Sequence, residues 1–185
     1  MDVEPQTSSL SLQLMLILIL TLVNAYFAAS EMAIVSVNKN KIHILAEAGN
    51  KKAKLVEKLL KEPTAFLSTI QIAITVAGFF NSASAATGIS FRLANVLQSF
   101  SIPYSETISV VIITILLSFI TLIFGELVPK RIALQNAEAY SMFCARPINF
   151  ISKIASPIIK VLSVSTKFVL RLFGINDENV EELLS

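Results

Sequence analysis

Two carboxylates interrupt long apolar stretches: Glu31, in Ala28-Ala29-Ser30-Glu31-Met32, and Glu126, in Phe124-Gly125-Glu126-Leu127-Val128-Pro129-Lys130. An ionisable group at membrane depth needs a partner or a task. Pro129 carries no N–H, and its ring displaces the carbonyl four residues back, that of Gly125. A carbonyl without its helical donor, next to a carboxylate, is an oxygen pair for a hard cation. Gly125 has no side chain to hold an ion or another segment away. The competing reading pairs Glu126 with Lys130, one helical turn on. Both hold if the site alternates between states.

Glu31 shares a helical face with Asn24, seven residues earlier. Its partner is either a cation or a basic side chain, Lys39 or Lys130. A third stretch carries Ser68, Thr69, Gln71 and Thr75, with Ser68 and Thr75 seven apart and Gln71 between them. Hydroxyls bonded back to their own helix account for the Ser and Thr without any ligand. The Gln71 amide is costlier to leave in lipid. Three segments therefore offer oxygens at a similar depth: Ser30 or Glu31, Ser68 with its neighbours Thr69 and Gln71, and Gly125 with Glu126. His43 and Cys144 are the chain's single histidine and cysteine, which excludes multi-His zinc chemistry and an intrachain disulfide framework. An all-oxygen set suits Mg²⁺, Ca²⁺ or Na⁺. One or two carboxylates with a few carbonyl and hydroxyl oxygens fit Mg²⁺ at about 2.0–2.1 Å.

The elements that must carry these groups are legible from composition. The 185 residues are 54% hydrophobic and only 15% charged, with mean hydropathy +0.71. A water-soluble domain carries roughly 25% charged residues, so an ordinary soluble enzyme is excluded and an all-α integral membrane protein is expected. Three uncharged runs, Leu10–Ser30, Thr64–Phe91 and Thr107–Gly125, reach the roughly 20 residues a helix needs to cross the bilayer. They are continuously apolar rather than alternating, which selects helix over strand. The expected spans are about 10–36, 64–91 and 107–129. The first is expected to be a signal anchor rather than a cleavable leader, because its flank Met1-Asp2-Val3-Glu4-Pro5 is acidic and the run is long.

Charge sets the expected orientation. Seven basic residues lie between Lys39 and Lys61 and seven between Lys130 and Arg171, leaving Arg92 alone. Both clusters belong on the cytoplasmic side, which puts the N-terminus and the 92–106 loop outside and the C-terminus inside. Lys51–Leu60 reads as an amphipathic cytoplasmic helix, with Leu55, Val56, Leu59 and Leu60 on one stripe. From about 136 to 173 the sequence predicts juxtamembrane helices. Lys153, Lys160 and Lys167 recur every seven residues, as in a helix lying in the headgroup region with its lysines snorkelling outward. A tilted fourth span is the other reading. Pro147 and Pro157 are expected to break this segment into shorter helices. The membrane domain thus runs over 1–175, and the acidic stretch 176–185 reads as the start of a linker to a cytoplasmic domain. Small residues, Ala25, Ala28 and Ala29 in the first span and Ala73, Ala77, Gly78, Ser82 and Ala86 in the second, favour close helix packing, including a dimer interface.

Three segments, in this order, carry a resemblance: Asn24-Ala25-Tyr26-Phe27-Ala28-Ala29-Ser30-Glu31-Met32-Ala33, Phe66-Leu67-Ser68-Thr69-Ile70-Gln71-Ile72-Ala73-Ile74-Thr75, and Phe124-Gly125-Glu126-Leu127-Val128-Pro129-Lys130. Together they resemble the transmembrane domain of the CNNM/CorC magnesium transporter family, over roughly Leu10 to Gly174. The resemblance implies a homodimer of three-span subunits in the plasma (inner) membrane, with juxtamembrane helices beneath. It implies Mg²⁺ export driven by inward Na⁺. It further implies a dehydrated Mg²⁺ held by Ser30, Ser68, Gly125 and Glu126, with Glu31, Thr69 and Gln71 as additional candidates. The family's paired CBS domains bind ATP, and they follow the membrane part. Residues 1–185 include no such pair, as in a shortened chain or a minimal relative, and ATP is expected only through one. One departure is Ala73, where many relatives have Gly.

A second function class is a membrane anchor or scaffold for a cytoplasmic regulatory domain, moving no ion. A channel is a third, although no Gly-rich filter loop is present. No nucleophile–base arrangement or phosphate-cradling loop is visible, so the chain is not expected to be an enzyme. A nucleic-acid partner is not expected either.

Overall fold

The computed structural model describes residues 10–173. The acidic flank Met1–Pro5 and the stretch 176–185 lie outside the described residues. All regular structure within the described residues is helical. The helices are α1 (Leu10–Ser36), α2 (Lys39–Glu47), α3 (Lys51–Lys61), α4 (Pro63–Thr87), α5 (Ile89–Ser99), α6 (Ser105–Leu122), α7 (Val128–Gln135) and α8 (Ala137–Leu172), with a π-helical turn, Ile123–Leu127, between α6 and α7.

Local chemistry fixes the boundaries. Gly49 ends α2 with φ of +90°, a left-handed conformation that costs glycine nothing. The Gly49 N–H donates to Ala46 O at 3.1 Å and the Asn50 N–H to Leu45 O at 3.0 Å, closing the last turn. The Asn50 side chain then caps α3 by accepting from the Lys52 and Ala53 amides. Pro63 opens α4 at a position whose N–H would have no helical partner.

The core lies where the C-terminal half of α1 meets α2, α3, α4 and the start of α8. Phe27 and Ile34 pack there with Val56, Phe66, Ile70 and Ile148. On another side of α1, Ala29 and Ala33 meet Ala133 of α7. The small residues let these backbones approach closely enough for polar groups to meet. Away from this core, Leu14, Leu18, Ile115, Leu116 and Phe119 stand exposed, as expected where the surrounding solvent is lipid.

Three expectations need correction. Four helical stretches, not three, are long and apolar enough to cross a membrane: Leu10–Ser36, Pro63–Ser99, Ser105–Gln135 and Ala137–Leu172. The fourth qualifies because its lysines repeat every seven residues on one stripe, leaving the rest apolar. Pro147 and Pro157 do not break α8, which is one continuous helix. Burial of Cys144, Ala145 and Ile148 around Pro147, and of Ala155 beside Pro157, offsets a proline cost of about 3 kcal/mol. The segment expected as an outer loop, 92–106, is helical through Ser99: α5 folds back along α6 across a short turn with Ser101 and Tyr104 at positive φ.

The α2–α3 pair carries the chain's one histidine. His43 Nδ1 lies 2.8 Å from Glu57 Oε1, and its Nε2 lies 3.3 Å from Glu47 Oε1. The bond to Glu57, then the Glu47 charge, raises the His43 pKa above 6.5, while Lys61 opposes. The same bond holds the Glu57 carboxyl below its ordinary 4.5. The stabilisation from His43 is complete below 6.5 and fades as pH rises through its raised folded value. That from Glu57 is complete above 4.5 and fades as pH falls through its depressed value. The pairing is therefore strongest between the two. NMR titration of the single histidine should give a midpoint above 6.5, moving down in Glu57→Gln. An unchanged midpoint would remove Glu57 as the cause.

Candidate functional site

Pro129 organises the site. Its missing N–H and the ring behind it perturb the α6–α7 junction, and the chain widens into the π turn. The Val128 N–H reaches back five residues to Ile123 O. The Gly125 carbonyl is taken instead by α1: Asn24 Nδ2 donates to Gly125 O at 3.0 Å in a buried position. A carbonyl oxygen has two lone pairs, so this bond leaves one for a further donor or an ion. A Cβ on Gly125 would stand 3.2 Å from Asn24 Nδ2 and from Thr121 Cγ2, and 3.5 Å from Thr21 Cγ2. The glycine is there because α1 comes this close.

A second amide extends the network to α4. Asn81 Nδ2 lies 3.3 Å from Thr21 Oγ1 and 3.2 Å from Thr121 Oγ1, linking α1, α4 and α6. Asn24 and Asn81 are 5% and 3% exposed, and neither Oδ1 has a hydrogen-bond partner among the described residues. A buried amide oxygen wants a donor or a cation. Beside them is a partly open cavity of about 200 Å³, lined by Asn81, Ser82, Ser118, Thr121 and Glu126 with apolar neighbours.

The two carboxylates converge on one cation. Lys130 Nζ lies 3.0 Å from Glu126 Oε1 and 3.2 Å from Glu31 Oε2. Both pairings considered for these acids are thus realised through Lys130, and all three side chains are partly screened from solvent. Of the other candidates, Ser30 is fully buried and its hydroxyl donates to Tyr26 O at 2.7 Å. Thr69 is likewise buried and donates to Ala65 O at 2.7 Å. Gln71 Nε2 contacts Thr75 Oγ1 at 3.4 Å, and Ser68 is half-buried on α4. Gly125 and Glu126 are thereby joined to Asn24, Glu31 and Lys130. No hydrogen bond among the described residues ties Ser30, Ser68, Thr69 or Gln71 to them.

Thr21, Asn81 and Thr121 escaped the sequence reading. The available signal was Asn81 itself, an amide deep in an apolar run, where polar side chains bind other helices. Among the described residues no group of three or more His, Cys, Asp or Glu side chains could hold a metal. Any ion here would draw on amide, hydroxyl and backbone oxygens as well as carboxylates.

Replacing Asn24 by leucine keeps the branched four-atom shape of the side chain and removes the donor to Gly125 O. Leaving a buried carbonyl unpaired costs about 1–3 kcal/mol, so the thermal unfolding midpoint in detergent should fall by several degrees. Asn95→Leu, on an exposed position of α5, should change stability by less than about 0.5 kcal/mol. Equal shifts would show that the Asn24 bond carries no weight.

The chain matches the family described as "Cyclin M transmembrane N-terminal domain" over residues 14–185. It is 37% identical over 179 residues to "UPF0053 protein sll0260" of Synechocystis, covering 96% of this chain and 40% of that protein. It is 31% identical over 161 residues to the "UPF0053 inner membrane protein YfjD" of Escherichia coli, covering 85% and 34%. It is also 25% identical over 160 residues to a "Polyamine export protein" of Haemophilus influenzae, covering 84% and 36%. The chain therefore spans about two-fifths or less of the length of these relatives. It is a multi-pass membrane domain and belongs to the CNNM family.

Proposed function

We propose that this domain exports Mg²⁺ from the cytoplasm across the plasma membrane, coupled to inward Na⁺, and that it catalyses no covalent reaction. The observation that carries this reading is the Gly125 carbonyl, turned out of its helix onto Asn24 beside Glu126 at the rim of an oxygen-lined cavity. Gly125 O and Glu126 would bind the ion directly, joined by Ser30 and Ser68. Ser30 is compatible with that role, because a hydroxyl that donates to Tyr26 O still has lone pairs to offer. Glu31, Thr69 and Gln71 are the reserve ligands. Stripping water from Mg²⁺ is costly, and carboxylate charge must offset much of it.

Of the four crossing-competent stretches, the proposed homodimer spans the membrane with those of α1, α4 and α6 with the π turn in each subunit, the N-terminus outside and the C-terminus inside. In this reading α8 lies along the inner headgroups. Its support is that α8 is amphipathic, unlike α1, α4 and α6. Its residues Asn149 to Lys160 also flank the α3–α4 junction.

Lys130 favours one second reading of the cargo. An alkylammonium already sits between Glu31 and Glu126, so a polyamine's ammonium group could bind the same carboxylates. The test is flux from proteoliposomes loaded with Mg²⁺ or with spermidine. Glu126→Gln should abolish Mg²⁺ flux while leaving the unfolding midpoint nearly unchanged. Wild-type flux in that variant would overturn the proposal. Spermidine flux without Mg²⁺ flux would select the second reading, and no flux of either would leave a membrane anchor.

Lys130 also competes with the cargo for Glu126. Lys130→Met should raise Mg²⁺ affinity about tenfold, the worth of one charge-assisted bond of roughly 1.4 kcal/mol, as read by isothermal titration. Weaker binding would make Lys130 a support of the site and not a competitor.

A further inference from the structure

A second cavity, about 310 Å³, lies well away from Glu126 in sequence and chemistry, between the end of α3, the start of α4 and the middle of α8. Its rim carries Lys58 from α3 and Lys153 and Lys160 from α8, against the single carboxylate of Glu62. Three ammonium groups facing one acid leave a local surplus of two positive charges. None of the three lysines has an ion pair among the described residues. Asn149, Ser152 and Ser156 add neutral donors at helical spacing on the same face of α8. Leu59, Phe66 and Ile159 supply the apolar part of the lining, with Leu59 and Phe66 buried.

The depth is also informative. Pro63 begins the long apolar helix α4, and the lysine-rich α3 ends just before it. The cavity therefore straddles the change from charged to apolar chain, which is the headgroup level of a bilayer. Its volume sits at the small end of ligand pockets. It fits a headgroup and its glycerol better than a whole lipid. Three cations, a row of neutral donors and apolar side chains in one lining match a phosphodiester that continues into acyl chains.

We propose that this cavity binds the phosphodiester headgroup of an anionic glycerophospholipid, with Lys58, Lys153 and Lys160 as its counter-ions. Bound lipid would clamp α8 against the α3–α4 junction. The site is independent of what the domain transports.

The test uses the full chain in mixed micelles with equal phosphatidylglycerol and phosphatidylcholine, reading retained lipid by native mass spectrometry. The wild type should retain phosphatidylglycerol about tenfold over phosphatidylcholine, as expected for several lysines at an anionic surface. Lys58→Gln, Lys153→Gln and Lys160→Gln together should abolish the preference. The control Lys51→Gln, Lys52→Gln and Lys54→Gln removes as many charges from the other end of α3 and should keep it. Ser156→Leu fills the cavity without changing charge and should also abolish it. Three results would overturn the proposal: no preference in the wild type, equal loss in the control, or an unaffected Ser156→Leu variant. Displacement of the lipid by millimolar orthophosphate would reassign the site to a soluble phosphate.

Discussion

Pro129 leaves a backbone carbonyl without its helical donor at a depth where water is scarce. Such a group must find another partner, because an unpaired polar atom in hydrocarbon costs several kcal/mol. The structure answers with Asn24, one helix away. That bond requires α1 and the π turn to approach closely, an approach that a Cβ at position 125 would crowd. Close approach continues down α1, where Ala29 and Ala33 meet Ala133. The positions of Thr21, Asn81 and Thr121 follow from the same contact, since the second amide can bridge α1 and α6 only where the two helices are already near. One missing N–H therefore sets much of the geometry on this side of the domain.

What the sequence made legible was chemistry that acts within a few residues. Pro129 frees the Gly125 carbonyl whatever surrounds it. Lys130, one turn from Glu126, is within reach on any helix. Apolar run length placed α1 at the membrane, and the amphipathic stripe placed α3 against the core. What it hid was relational. No spacing rule says that Asn24, a century of residues from Gly125, should supply its donor. Glu31 had two candidate lysines in the sequence, and only the packing of α1 on α7 selects Lys130. Asn81 was overlooked for a related reason: a neutral amide shows no charge to flag it, and its partners come from two other helices.

Helix α8 marks a different limit. Proline breaks isolated helices, and two of them in one segment argued for shorter pieces. Tertiary burial on α1, α3 and α4 outweighs that local preference. The count of four crossing-competent helices has the same origin: length and composition grade each helix alone, whereas the level at which a helix sits depends on its neighbours. Residues 149–160 of α8 share a cavity with the last turn of α3 and the first of α4, a position that composition does not encode.

Charge is distributed in two ways across the domain. Around Glu126, two carboxylates hold one ammonium, so the cluster keeps a net negative charge and attracts a further cation once Lys130 moves. Around Lys58, three ammonium groups face one carboxylate, so that cluster attracts an anion. Helix α4 carries one cluster near its start and lines the other cavity further along, at Gly78, Asn81 and Ser82. Each excess sits on packed helices, and where it borders lipid an uncompensated charge is worth more than at a water-exposed surface. Movement of α4 relative to α8 would alter the basic cluster, and movement relative to α6 would alter the oxygen-lined cavity. A rigid α4 would thus couple the two: whatever holds its start against α8 also limits how far its middle can open from α6.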